Sequence, residues 1–282
     1  MADSTRPSLM GIWAHPDDES FGMAGTMARS TNTGHPVAIV CATRGEEGQI
    51  ADPSLATPEN LGEVRTRELL AACAAVGVTD VSFLGYRDGH LPEADPAEAV
   101  GRIVYHIRRF RPDVVVTFAP NGAYGHVDHM AIHRLTLTAV RSAASEHEYA
   151  SQVADGLHPH VVRKLYYVAI PRERLIRMRA EAQKQGQDFI PGGDAGTIPF
   201  DEMGTPMRDI TTWVKLSDEE FEAKRRSMAA HATQMPADSP FARATPEQLR
   251  EFLGTEVFQL VPSPVTDRTF TVPESDVFAG LE

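Results

Sequence analysis

The sequence predicts an α/β fold, a Rossmann-like parallel sheet with helices on both faces. Short, nearly uninterrupted apolar runs rich in β-branched residues alternate with stretches whose apolar residues recur at helical spacing. The strand runs lack the in–out alternation of a sheet with one wet face, so helices are expected on both sides. The unusual polar residues fall just after strands, where parallel sheets bind their ligands.

Leu9 to Ala14 reads as the first strand, and Gly22 to Thr33 as a helix closed by Gly34. Pro36 to Thr43 is a second strand, followed by a polar loop from Arg44 to about Asn60. A helix over Gly62 to Val76 carries Val64, Leu69, Ala72 and Val76 at helical spacing, with Gly77 as its stop. VSFLGY is a third strand, Pro96 to Arg109 a helix, DVVVTFAP a fourth strand, and His129 to about Ser145 another helix. Further on, Lys164 to Pro171, Ile210 to Leu216 and Glu256 to Val261 read as strands, and Ser217 to about Ala230 as a helix. Residues 172–207 form an excursion with a substrate-facing or packing role, and a surface wrap begins near Pro262. The whole reads as one domain over residues 1–282.

The composition is that of a globular chain, with 42% hydrophobic and 23% charged residues. A net charge of -12 argues against nucleic acid as the main partner. Cys41 and Cys73 lie in apolar stretches without a C-x-x-C pattern and read as buried thiols of a reducing compartment. No secretory signal and no membrane-length apolar run is visible, so a cytoplasmic protein with no membrane partner is expected. The oligomeric state is open, a homo-oligomer included.

Two segments carry the chemistry. The first strand ends in Ala14-His15-Pro16-Asp17-Asp18-Glu19, and the fourth is followed by Tyr124-Gly125-His126-Val127-Asp128-His129. Each alone fits a capping turn. In a parallel sheet both strand ends point to one side, and His15, Asp18 and His129 then form a two-His, one-carboxylate set with open coordination positions. That set suits Zn²⁺ with a bound water, and also Fe²⁺. Amide hydrolysis needs such a polarising centre, a carboxylate outside the ligand set to accept a proton, and a donor for the developing oxyanion.

AHPDDE followed by H-x-D-H resembles the LmbE/PIG-L family of metal-dependent N-acetylglucosaminyl deacetylases. The similarity extends to Thr43–Gly48 (TRGEEG), Arg65–Leu69 (RTREL), Leu84–Gly89 (LGYRDG) and Ala230–Gln234 (AHATQ). The resemblance implies that His15, Asp18 and His129 are the metal ligands, with Zn²⁺ the usual ion. It makes Asp17 the general base and His126 the oxyanion stabiliser or acid. Tyr124 lies near the carbonyl, and Arg65 and Asp88 bind the sugar or support the site. The implied partner is a small-molecule amino-sugar conjugate. Val127 stands where the family has proline, which removes a stiff element from the turn but no ligand.

Other polar residues read as structural. His35, His90, His106, His147, His158 and His160 lack a partner pattern, His133 reads as helix packing and His231 as structural. Arg108, Arg109 and Arg111 read as a solvated helix end. Glu19 either orients His15 or caps the first helix, and Asp128 reads as an orienting carboxylate. Rival functions are an amidase acting on a larger N-acyl conjugate, like the family's mycothiol-conjugate amidases, and a non-catalytic metal-containing sugar-binding protein. The presence of both Asp17 and His126 argues against the latter. A nucleotide-binding module needs G-x-G-x-x-G after the first strand, and the two carboxylates there speak against it.

Overall fold

The computed structural model describes residues 6–184, 186, 189, 191, 196–236 and 240–281. In chain order the elements are β1 (Leu9–Trp13), α1 (Asp18–Asn32), β2 (Val37–Cys41), α2 (Leu61–Ala75), β3 (Asp80–Phe83), α3 (Pro96–Phe110), β4 (Val114–Thr117) and α4 (Gly122–Gly125). They continue with α5 (Val127–Ala143), α6 (Ala150–Ala154), β5 (Lys164–Val168), α7 (Arg172–Lys184), β6 (Thr212–Lys215), α8 (Asp218–Ala230), α9 (Pro240–Arg243), α10 (Pro246–Leu253) and β7 (Thr255–Val261).

Among the described residues the strands form one seven-stranded sheet in the order β3-β2-β1-β4-β5-β7-β6. The first five strands of the chain are parallel, as the apolar runs predict. The last two depart from that expectation, because β7 pairs antiparallel with β5, and β6 antiparallel with β7. β1, β2, β4 and β5 are buried along their whole length, with α1 and α8 packed on one face and α3 and α5 on the other.

Local signals explain the helix boundaries. Asp95 caps α3 by accepting a bond from the Glu98 N–H at 2.8 Å, and Pro96 occupies the first turn. α3 buries Val100, Ile103, Val104 and Ile107 on one stripe. α8 starts with a reciprocal Ser217–Glu220 capping box. α1 begins at Asp18, earlier than the expected Gly22, so the first motif forms the opening turn of a helix.

Two surface readings are corrected by burial. Arg108 is only 2% exposed and donates to the carbonyls of Ser142, Ala143, Ser145, Glu148 and Tyr149, so it closes the end of α5 and is not a solvated helix end. The chain after Pro262 also inserts into the fold. Glu274 is buried, and its carboxylate accepts from Lys164 Nζ at 2.6 Å, Tyr166 Oη at 2.5 Å and Thr212 Oγ1 at 3.1 Å. No helix among the described residues is long and apolar enough to cross a membrane.

Candidate metal centre and active site

The register of β1 against β2 and β4, and of β2 against β3, brings Trp13, Cys41, Phe83 and Thr117 to one edge of the sheet. The segments that follow these strands form the site. His15 to Glu19 leave β1, Thr43 to Gly48 leave β2, Leu84 to Gly89 leave β3, and Ala119 to His129 leave β4.

At the centre, His15 Nδ1 lies 3.2 Å from His129 Nε2. Asp18 faces both rings, with Oδ2 at 3.8 Å from His15 Nδ1 and Oδ1 at 3.4 Å from His129 Nε2. The remaining heteroatoms are engaged elsewhere. His15 Nε2 is 3.0 Å from Asp88 Oδ1 and 3.2 Å from Asp128 Oδ2. His129 Nδ1 is 3.2 Å from the Gly122 carbonyl, which fixes a proton on that nitrogen and leaves Nε2 as an acceptor. Asp18 Oδ2 accepts from the His15 N–H at 2.8 Å and the Ala14 N–H at 3.2 Å. Phe118 stacks on the His129 ring at 3.8 Å and holds its plane, a contact the motif does not announce.

His126 adjoins the cluster, its ring centroid 4.6 Å from that of His15 and 4.7 Å from that of His129. Two overlapping donor groups can therefore be drawn, His15/His126/His129 and His15/Asp88/Asp128. Hydrogen bonding engages part of each group. His126 Nδ1 accepts from the Asp128 N–H at 3.2 Å as the cap of α5. Asp128 is fully buried and already accepts from the Gly89 N–H at 2.7 Å and the Leu91 N–H at 3.1 Å. Asp88 accepts from the Glu47 N–H at 3.2 Å through Oδ2. His15 Nδ1, His129 Nε2 and Asp18 Oδ1 face the centre and His126 Nε2 is left unengaged, with carboxylates behind His15 in the orienting place usual for ligating imidazoles.

The electrostatics match that donor set. Burial disfavours charge on His15, yet the bonds to Asp128 and Asp88 and the Asp18 charge outweigh it and carry the imidazole up to about 10. The cluster thus favours positive charge at its centre, which is what a divalent cation supplies. Burial likewise opposes ionisation of Asp18, but His129 and His15 hold its carboxyl well below the usual range.

Asp17 sits beside this group. Burial raises its carboxyl to about 6 against the pull of Arg65. Its backbone has φ 118, a left-handed value uncommon for a residue with a side chain. Arg65 is 3% exposed, and it donates to Asp17 Oδ2 at 3.2 Å, to the Gly45 carbonyl at 2.9 Å and to the Pro16 carbonyl. The Arg65 Nη1 and Nη2 groups and both Asp88 carboxylate oxygens are thus on protein partners, while the buried Arg65 Nε has none.

Tyr124 lies in the tight loop before α5, its ring 5.1 Å from that of His129. Burial, followed by the negative charges of Asp18 and Asp17, pushes its hydroxyl up, so it stays protonated. The described part of the excursion braces this loop. Thr197 donates to the Gly125 carbonyl from its N–H at 3.0 Å and its Oγ1 at 2.8 Å, and the Gly204 N–H donates to the Ala123 carbonyl at 2.7 Å. These bonds hold the turn that Val127 leaves without a proline. Positions 185, 187, 188, 190 and 192–195 of the excursion lie outside the described residues.

Three of the other histidines have structural partners. His133 Nδ1 meets the Phe118 carbonyl at 2.9 Å, His160 Nε2 the Pro112 carbonyl at 2.7 Å, and His35 stacks on Phe278. The AHATQ stretch packs beneath the site, where Thr233 donates to Glu68 from its N–H at 2.8 Å and its Oγ1 at 2.6 Å.

A mainly parallel sheet with a buried His/Asp cluster beyond its strand ends is a frame that more than one reaction can use, and comparison with known proteins selects among them. Residues 10–140 match the family described as GlcNAc-PI de-N-acetylase, PIG-L. The 1D-myo-inositol 2-acetamido-2-deoxy-alpha-D-glucopyranoside deacetylase of Streptomyces griseus is 35% identical over 308 residues, covering 100% of this chain and 91% of that one. The mycothiol S-conjugate amidase of Streptomyces coelicolor is 33% identical, covering 100% and 99%. Among solved structures, N,N'-diacetylchitobiose deacetylase from Pyrococcus horikoshii superposes with a TM-score of 0.68 at 22% identity, covering 93% of this chain and 89% of that one. A 4-carboxy-2-hydroxymuconate hydratase from Pseudomonas putida superposes at 0.57 with 17% identity, covering 94% and 100%, so the fold alone does not select the reaction. The chain belongs to the LmbE/PIG-L family and is an enzyme of the N-deacetylase type.

Proposed function

We propose that the protein hydrolyses the N-acetyl group of a GlcNAc-type amino-sugar conjugate, with a divalent metal held by His15, Asp18 and His129. The observation that carries this reading is the cluster in which His15 Nδ1 lies 3.2 Å from His129 Nε2 and Asp18 faces both rings, Oδ1 at 3.4 Å from His129 Nε2 and Oδ2 at 3.8 Å from His15 Nδ1, while His15 Nε2 and His129 Nδ1 bond to protein partners. Nitrogen and carboxylate donors in this number suit Zn²⁺, with Fe²⁺ as the alternative. A cation held by these residues would polarise the amide carbonyl and acidify water.

The chain's own groups supply the remaining chemistry. Asp17 accepts a proton from the attacking water, and Arg65 fixes the carboxylate through its 3.2 Å bond. Burial and the neighbouring His15 and His129 push His126 down to about 4, so its ring is neutral. Its Nδ1 accepts from Asp128 N, which leaves the proton on Nε2. That N–H and the protonated Tyr124 hydroxyl donate to the oxygen that gains negative charge as the carbonyl becomes tetrahedral. When the C–N bond breaks, Asp17 returns the proton to the amine nitrogen, giving acetate and free amine.

A larger amide is the second reading, favoured by the 33% identity to a mycothiol S-conjugate amidase. The test is amine release from N-acetylated and longer N-acyl glucosaminyl conjugates by enzyme reconstituted with Zn²⁺. Turnover confined to acetyl compounds supports deacetylation. A preference for longer acyl groups moves the assignment to amidase, and no amine from either set overturns it.

A further inference from the structure

Behind Asp17 lies a buried network that the proposed mechanism leaves unused. Glu19 and His231 are both fully buried, and His231 Nε2 meets Glu19 Oε1 at 2.8 Å across 212 residues of sequence. Glu19 Oε1 also accepts from Ser20 Oγ at 2.6 Å, and Ser20 Oγ is 2.6 Å from Ser227 Oγ on α8. Glu19 Oε2 accepts from the Asp17 backbone N–H at 3.0 Å. Asp17 is the residue in the strained left-handed conformation, at φ 118. Such a backbone persists only when its surroundings over-determine it. On the side-chain face Arg65 does this, and on the amide face Glu19 does.

A fully buried carboxylate is costly unless it is paired. His231 provides the pairing. It follows the last residue of α8, where the negative end of the helix dipole favours an imidazolium. Glu19 therefore does not reach back to His15, one of the two roles the sequence leaves open for it.

We propose that Glu19 and His231 form a positioning pair for Asp17, in which α8 sets the attitude of the Asp17 turn through the Glu19 carboxylate. The inference rests on the reading of Asp17 as the base. Neither residue touches the converging ligand atoms, so the pair acts on turnover and not on metal retention or substrate binding.

The test compares His231→Ala and His231→Gln in the metal-reconstituted enzyme. Glutamine places a donor where Nε2 stands, and alanine leaves Glu19 unpaired. Misplacement of a reacting group on the ångström scale costs about 10²-fold. A fall in kcat of about tenfold to 10²-fold is expected in the alanine variant, with KM and bound metal near wild type, and recovery in the glutamine variant. Amide hydrogen exchange is read in parallel, because loss of protection at Asp17 in the alanine variant reports the positioning whether or not the substrate assignment holds. Wild-type kcat and Asp17 protection in His231→Ala overturn the proposal. So does a loss of kcat and metal together that glutamine does not restore, since that pattern belongs to a general structural role. Should His231→Ala fail to fold, His231→Asn, whose shorter side chain withdraws the donor from Glu19 Oε1, is expected to show the same fall in kcat with bound metal near wild type, and wild-type kcat and Asp17 protection there overturn the proposal.

Discussion

Replacing Asp17 with asparagine separates the base from the metal centre. Asparagine keeps the size of the side chain and an oxygen for Arg65, but cannot take a proton from water at neutral pH. A positioned general base is worth about 10²–10⁴-fold, so the barrier rises by about 2.7–5.4 kcal/mol. The metal should stay, because the converging atoms come from His15, Asp18 and His129 and the contact of Asp17 is with Arg65. Stability should fall only modestly, by about 1 kcal/mol, since Arg65 keeps its bonds to the carbonyls of Pro16 and Gly45. The assay is amine release as a function of substrate concentration, with metal content measured on the same sample. A kcat within about tenfold of wild type refutes the base assignment, because so small a loss lies below the range for this role.

Further outcomes follow from other parts of the structure. His129→Ala should lose most bound metal, and full occupancy by elemental analysis contradicts the ligand role. Gly125 has φ +88, and a Cβ there would meet Ile198 Cγ1 at 2.7 Å, so Gly125→Ala should lower stability by at least about 1–3 kcal/mol in urea unfolding and lower turnover with it. A wild-type midpoint refutes the bracing of that loop. Glu274→Ala strands buried Lys164 and should cost about 3–5 kcal/mol, and a cost under about 1 kcal/mol refutes the tail's role. Burial, with Arg109 nearby, pushes His106 from 6.5 to about 4. The unfolded chain then binds a proton that the folded chain refuses, so stability is full above pH 6.5 and falls as pH drops towards 4, with a slope of up to about 1.4 kcal/mol per unit. His106→Gln should flatten that limb, and identical pH profiles in the two proteins refute it.

The parallel half of the sheet was legible because its strands are continuous apolar runs, and the strand-end rule then placed both motifs at one edge. The antiparallel addition of β7 and β6 was not, since pairing direction leaves no mark in the composition of a short strand. His15, Asp17, Asp18, His126 and His129 were visible as clusters of costly polar residues. Among their supports Asp128 was also legible, and the resemblance pointed to Arg65 and Asp88, but the contacts these residues make were not. Arg65 works largely through backbone carbonyls, and the Glu19–His231 contact joins residues 212 apart, so no local pattern records either. Arg108 looked like part of a basic surface run because its partners are carbonyls at the far end of α5 and beyond. Glu274 looked like tail because its partners Lys164 and Thr212 belong to distant strands.

The central claim is the identity of the three atoms that hold the metal. Crystals of Zn²⁺-loaded protein, with anomalous data collected at the zinc edge, test it most directly. The account predicts one ion per chain on His15 Nδ1, His129 Nε2 and an Asp18 carboxylate oxygen, at about 2.0–2.2 Å from each. An ion ligated by His126, or by Asp88 and Asp128, or no ion near His15, would contradict it.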